Sequence, residues 1–254
     1  MNLRLEKEGA IARLLIDRAG KRNAFTQAMW ETFPALLGEA MADPGIRVVI
    51  LQSAAPGIFC AGADIAEFST GVLDPAWRAM NQEAIRNAQV ELARAPKPVI
   101  ALVDGDCVGG GCGLAIACDI RVASPRARFG ITPAKLGLVY SLHDTKLLVD
   151  LVGPAQAKRM LFSAQLLGSD EAQRIGLVEI VSDDFEADAA ALAAVIAANS
   201  SHAVREIKGI VRRILDGQAD DDAATLQLFA DAFTGEDFAE GVAAFLGKRR
   251  AKFK

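Results

Sequence analysis

The sequence predicts an α/β protein in which short buried strands alternate with amphipathic helices. Three observations carry that prediction. Apolar runs such as Val-Val-Ile-Leu-Gln at 48–52 and Val-Ile-Ala-Leu-Val at 99–103 are bounded by Pro, Gly and Asp, as buried strands are. Helical periodicity fills the intervals between such runs, and parallel strands need crossovers of that length. From residue 144 onward the pattern is almost wholly helical and rich in alanine.

In chain order, residues 2–17 read as two strands around a Glu8-Gly9 turn, and 18–24 as a loop. Thr26 then caps an amphipathic helix that runs to residue 42. The strand at 48–52 leads into a glycine-bearing segment, 56–65, and a second helix is expected over 74–95. The strand at 97–103 runs through Asp104-Gly105 into Cys107-Val108-Gly109-Gly110-Gly111-Cys112-Gly113, and 114–117 continues as a helical turn. Residues 119–123 and 127–130 are further strands, with Asp119 expected to hold a strand end through backbone N–H groups. Ser141 and Asp144 fit a capping box opening the next helix, and 178–181 is the one strand-like interruption beyond it. The division expected is an α/β core over 1–195 and a helical region over 196–254.

Composition narrows the function classes. With 254 residues, 52% of them hydrophobic, the chain can bury a sizeable core, and its net charge of −4 gives no support for nucleic-acid binding. No apolar run is long enough for a transmembrane helix, and residues 1–7 lack the apolar stretch of a signal peptide, so no membrane partner is expected. Cys60, Cys107, Cys112 and Cys118 form no CxxC pair, and His143 and His202 lie elsewhere. They read as reduced, buried thiols of a cytoplasmic protein rather than as metal ligands.

The triplet Gly109-Gly110-Gly111 stands where a strand gives way to a helix. Without side chains there, a backbone N–H can approach a ligand closely, and the helix dipole favours negative charge at that point. An oxyanion is therefore expected at this junction. A dinucleotide fingerprint does not fit, since the third glycine of G-x-G-x-x-G is missing, and no glycine run is followed by G-K-[ST].

Phe59-Cys60-Ala61-Gly62-Ala63-Asp64-Ile65, and the stretch from Lys97 through Gly111 to Cys118-Asp119-Ile120, resemble the two oxyanion-hole loops of the crotonase (enoyl-CoA hydratase/isomerase) superfamily. Arg22-Asn23-Ala24, Phe129-Gly130, Lys135-Leu136-Gly137 and the tail Glu240 to Arg249 extend the likeness over nearly the whole chain. The resemblance implies a spiral of ββα turns, a C-terminal helical trimerisation region, and a homotrimer or a dimer of trimers. It implies an acyl-CoA thioester substrate, with no cofactor beyond the coenzyme A that the substrate carries. By position, the N–H groups of Ala63 and Gly110 would hold the thioester oxygen. Coenzyme A contacts would fall to Arg22, Ala24, Ala61, Asp64 and Ile65, and to Lys248 and Phe253 from the tail.

The chain departs from the pattern of the family's hydratases, which activate water with two glutamates. Gly113 stands at the first position and Thr132-Pro133 at the second. The stretch from Thr132 to Tyr140 instead resembles the methylmalonyl-CoA decarboxylase branch, in which a tyrosine three residues after the glycine faces the thioester. Tyr140, the only tyrosine, reads either as a packing aromatic or as a donor to a substrate carboxylate. The expectation is a decarboxylase-type lyase. The alternatives are a hydratase or isomerase that uses Asp144, His143 or Tyr140, and a coenzyme A-binding protein without turnover. His143 is expected at the solvent or pocket rim, and Lys135 in an ion pair.

Overall fold

Gly9, at φ 58°, turns the chain between the antiparallel strands Leu3–Glu8 (β1) and Ile11–Ile16 (β2) of a computed structural model that describes residues 2–253, the Thr70 side chain excepted. Gln27–Ala42 (α1) starts where expected, with the Thr26 hydroxyl accepting the Met29 N–H at 3.2 Å. Val48–Ser53 (β3), Ile58–Cys60 (β4), Ile65–Gly71 (α2) and Pro75–Ala93 (α3) follow. Next come Val99–Val103 (β5), Asp106–Val108 (β6), Gly110–Ala117 (α4), Ile120–Ala123 (β7) and Arg128–Gly130 (β8). The remainder is Leu142–Ser163 (α5), Leu167–Gly168 (β9), Ser169–Arg174 (α6), Ile180–Val181 (β10), Phe185–Ala198 (α7), Ser201–Leu215 (α8), Ala223–Ala232 (α9) and Glu236–Leu246 (α10).

The strands form two sheets, ordered β1-β2-β3-β5-β7-β10 and β4-β6-β8-β9. Apart from β1–β2 and β8–β9, all pairings are parallel. In each turn the chain steps from the first sheet to the second, β3 to β4, β5 to β6 and β7 to β8. The result is the expected spiral of strand–strand–helix turns. Residue parity divides the first sheet between two cores: Val49 and Leu51 join the main one, while Val48 and Ile50 pack with Ile100, Val122 and Ala193 beneath α7.

One carboxylate staples the corners of three successive turns. Asp104, between β5 and β6, accepts the Gly57 N–H at 2.6 Å from the β3–β4 corner, and the Ser124 hydroxyl at 2.8 Å and Arg126 Nε at 2.6 Å from the β7–β8 corner. Burial alone would raise its pKa, but Arg126, the Gly57 N–H and Ser124 outweigh that and hold it below the usual carboxylate range.

The structure corrects several boundaries. The segments α2, β6 and β9 escape periodicity because seven, three and two residues are too few to show one. The long helix α5 is broken at Gly153, φ 73°, directly ahead of Pro154, whose ring cannot continue the preceding turn. The strand read over 97–103 begins only at Val99, since Pro98 offers no N–H and Lys97 turns its ammonium onto the Ala40 and Asp43 carbonyls at the end of α1, at 3.0 and 2.6 Å. The strand read over 178–181 shrinks to Ile180–Val181. Asp119 accepts the Val99 N–H at 2.7 Å as expected, and also Lys208 Nζ from α8 at 2.7 Å. Lys135 is exposed and forms no ion pair among the described residues, contrary to expectation. Among the described residues no helix is long and apolar enough to cross a membrane.

Candidate active site

The two glycine loops meet backbone to backbone. Gly62 has φ 90°, and a Cβ there would stand 2.9 Å from both the Gly110 nitrogen and the Val108 oxygen. A Cβ on Gly111 would collide with the Cys60 carbonyl. Only glycine permits this approach. Phe25 bridges the first loop, donating to the Gly62 oxygen at 2.7 Å and accepting from the Asp64 N–H at 2.8 Å, so the Ala63 N–H between them is left out of that ladder. Gly110 is the first residue of α4, and its N–H is one of the helix's orphan donors. A Cβ on Gly110 would lie 3.7 Å from the Ala63 nitrogen, and the fully buried Trp30 ring covers the same point at 3.2 Å. Two unused N–H groups thus stand side by side under an aromatic wall.

Of the residues expected at coenzyme A, Ala61, Asp64 and Ile65 lie on the first loop, and Arg22 and Ala24 on the 18–24 segment bonded to it. The Ala61 N–H donates to the Arg22 oxygen at 3.0 Å, with Arg22 in the left-handed region. The Arg22 guanidinium reaches Asp106 at 2.5 Å while 66% of its side chain stays exposed. Asp64 caps α2 through the Ala66 N–H at 3.0 Å and pairs with Arg18 at 2.7 Å, and Arg18 is the main cause of its lowered pKa. Arg18 also donates to the Ala24 oxygen at 2.8 Å, and Ile65 is exposed at the first position of α2. The buried Asn23 ties the loop from within, donating to Ser53 Oγ at 2.7 Å and the Phe59 oxygen at 3.0 Å. Lys248 and Phe253 lie elsewhere. Phe253 lines an apolar cavity of about 640 Å³ with His202, Phe238 and Phe245, and Lys248 is exposed.

One turn along α4 a second group assembles around Gly113. A Cβ there would collide with the Gln89 amide and come within 2.9 Å of the Tyr140 hydroxyl. With its amide nitrogen turned to Asp144, Gln89 donates to the two carboxylate oxygens at 2.6 and 2.9 Å; the opposite orientation would set oxygen against oxygen. Asp144 Oδ1 is 3.0 Å from His143 Nδ1. Gln89 is 1% and Asp144 3% exposed. The Tyr140 hydroxyl and His143 Nε2 are buried and have no hydrogen-bond partner. Burial, and then the Asp144 charge with Cys112 and Cys107, pushes the Tyr140 phenol well above its ordinary range, so it stays a neutral donor.

One expectation is corrected here. Ser141 caps α5 by accepting the Asp144 N–H at 3.1 Å, but the Asp144 carboxylate does not return to complete the box; it points inward to Gln89 and His143. His143, expected at the solvent or the pocket rim, has a side chain 23% exposed and turned to Asp144. The amide and carboxylate relieve each other's burial more fully than a cap would. Gln89, Trp30 and Arg18 were not singled out in the sequence. For Gln89 a signal exists: it shares the buried stripe of α3 with Ala84, Ala88 and Leu92. The four cysteines are free and buried, and burial pushes Cys60 up to about 12. Among the described residues no group of three His, Cys, Asp or Glu side chains could hold a metal ion.

Comparison with known proteins agrees with this geometry. The family profile described as Enoyl-CoA hydratase/isomerase matches residues 6–254. A short-chain-enoyl-CoA hydratase of Clostridium acetobutylicum is 36% identical, over 98% of this chain and 96% of its own. A crotonyl-CoA hydratase of Syntrophomonas wolfei is 34% identical, over 99% and 97%. The crystal structure of an enoyl-CoA hydratase/isomerase family protein from Hyphomonas neptunium superposes with a TM-score of 0.97 at 38% identity, covering 100% of this chain and 98% of the other. A spiral of two sheets, two glycine loops in contact and likeness over the full length agree: the chain belongs to the enoyl-CoA hydratase/isomerase, or crotonase, family.

Proposed function

We propose that this acyl-CoA enzyme is a lyase that decarboxylates a short acyl-CoA carrying a carboxylate on its α-carbon. The observation that carries the reading is the Tyr140 hydroxyl, buried, neutral and without a partner beside Gly113. No carboxylate projects from positions 113 or 133, and that of Asp144 is already engaged. A protonated phenol cannot activate water as a base, but it can donate to a substrate carboxylate. The thioester oxygen would accept from the Ala63 and Gly110 N–H groups. As the bond to the carboxylate breaks, its electron pair passes through the α-carbon to that oxygen, carbon dioxide leaves, and the enolate then takes a proton at carbon. One preorganised donor is worth ~10²–10³ in rate.

The coenzyme A contacts in this reading are the loop residues Arg22, Ala24, Ala61, Asp64 and Ile65. Lys248 and Phe253 would act from a neighbouring subunit, with the 196–254 helices forming a trimer. The exposed apolar row Ile207, Val211 and Ile214 on α8 supports that assembly. One specific observation favours a second reading, hydration. His143 Nδ1 on Asp144 with a buried, partnerless Nε2 is an arrangement suited to a general base, and the named relatives are hydratases.

Mass spectrometry on protein incubated separately with methylmalonyl-CoA and crotonyl-CoA tests both. Loss of carbon dioxide from the first, reduced ~10²-fold or more in Tyr140→Phe with little change in KM, is the expected result. Addition of water to the second alone, lost in His143→Gln and kept in Tyr140→Phe, would replace decarboxylation by hydration.

A further inference from the structure

We propose that Gln89 is a positioning residue of this site: its amide, seated in the space that Gly113 leaves open, holds the Asp144 carboxylate between Tyr140 and His143. This rests on the reading that the Gly113–Tyr140 group is the reacting end of the site.

Four elements converge on that carboxylate. Gln89 comes from α3, Gly113 from α4, Tyr140 from the segment before α5, and His143 and Asp144 from α5 itself. A carboxylate 3% exposed needs donors in place of water, and among the described residues no lysine or arginine pairs with it. Gln89 supplies the nitrogen that reaches both oxygens, and His143 the single contact on the other side. A neutral amide satisfies the anion without cancelling its charge, which a lysine there would do. The charge thus remains to act on Tyr140 and to fix the His143 ring.

Glycine at 113 is the other half of the arrangement. Any side chain there would enter the volume of the Gln89 amide. The same glycine that removes the family's first glutamate therefore makes room for a donor that arrives from another helix. Gln89 is 1% exposed and turned to the carboxylate. It acts through Asp144, and only the fold brings them together, since they lie 55 positions apart along the chain.

The test exchanges charge at constant shape and reads stability, so it holds whichever reaction the enzyme performs. Gln89→Glu sets a second carboxylate against Asp144, and the two cannot both ionise at that separation. The folded-state pKa of one is then raised. In the unfolded chain both ionise above ~pH 4, so stability falls as pH climbs from there toward the raised value. The groups that titrate beside the pair are His143 on α5, Tyr140 ahead of it, and Cys112 and Cys107 from α4 and β6. The substitution replaces none of them, and the exchanged double variant keeps them all in place.

Relative to wild type, Gln89→Glu is expected to lose roughly 5 °C in Tm between pH 5 and pH 8. The exchanged double variant Gln89→Glu/Asp144→Asn restores one amide and one carboxylate, and its Tm is expected to return to the wild-type pH dependence. Gln89→Leu is expected to lower kcat ~10-fold or more with KM little changed, and to lose that effect in an Asp144→Asn background. A Gln89→Glu protein with the wild-type pH dependence, or a double variant no better than the single, would overturn the proposal. Failure of the decarboxylase reading would leave the Tm result untouched.

Discussion

Gly62→Ala puts a number on the contact between the two loops. At φ 90° an alanine is held outside the regions L-residues favour, at about 1–2 kcal/mol. Its Cβ would also lie 2.9 Å from the Gly110 nitrogen and 2.9 Å from the Val108 oxygen, both of them backbone atoms that cannot rotate away. Overpacking of that kind costs about 1–3 kcal/mol. The sum, about 3 kcal/mol, corresponds to a Tm drop of ~6–12 °C for a chain of this length. Relief of the contact must push the Gly110 N–H away from that of Ala63, and loss of one donor is worth ~10²–10³ in kcat. Gly217→Ala is the control: it has φ 101° and nothing within 4 Å of its Cβ, so it reports the conformational part alone. The assays are thermal unfolding and turnover of the acyl-CoA that the wild type consumes. A Gly62→Ala enzyme with wild-type kcat, or a Tm no lower than that of Gly217→Ala, would refute the reasoning.

Three further outcomes follow from the same structure. Asp104→Ala removes the acceptors that tie two neighbouring corners of the spiral to its own and is expected to cost about 3 kcal/mol, measured by chemical denaturation. Because the native pKa of Asp104 is lowered, its contribution is present above ~pH 4 and is lost as pH falls through the native value, so wild type and variant should converge in Tm on acidification. Gly113→Ala sets helix propensity, a gain of about 1 kcal/mol, against a collision with an anchored amide, a loss of about 1–3 kcal/mol. Packing is expected to win, and a raised Tm would show that Gln89 yields freely. The four cysteines, all buried, should resist Ellman's reagent in the native protein and all react on unfolding; fast modification of any one at neutral pH would contradict the packing around α4.

The legible parts of the fold are those in which one segment carries its own reason. The apolar run of β5, the Thr26 cap and the Ser141 cap are local, and the structure keeps all three. The glycine loops are legible for a related reason: an absent side chain in a strand-to-helix turn already says that something comes close. What stayed hidden depends on two distant segments at once. Gln89 is an ordinary helical residue until α3 packs on α4, and Asp144 looks like half of a capping box until a buried amide outbids the local N–H. Arg18 is likewise unremarked as a loop residue, yet it fixes Asp64 and Ala24 together. The 3-residue strand β6 and the 2-residue strand β9 take their existence from neighbours in the second sheet, through pairing rather than pattern.

The donors at Ala63 and Gly110 have a genetic consequence. A codon change can replace any side chain, but no codon except proline's deletes a backbone N–H. The proposed means of binding an oxyanion is thus shielded from most point mutations, whereas what stands beside it at positions 113 and 140 depends on which side chain, if any, each codon supplies. A lineage can therefore rewrite what happens to a thioester without first losing its hold on one.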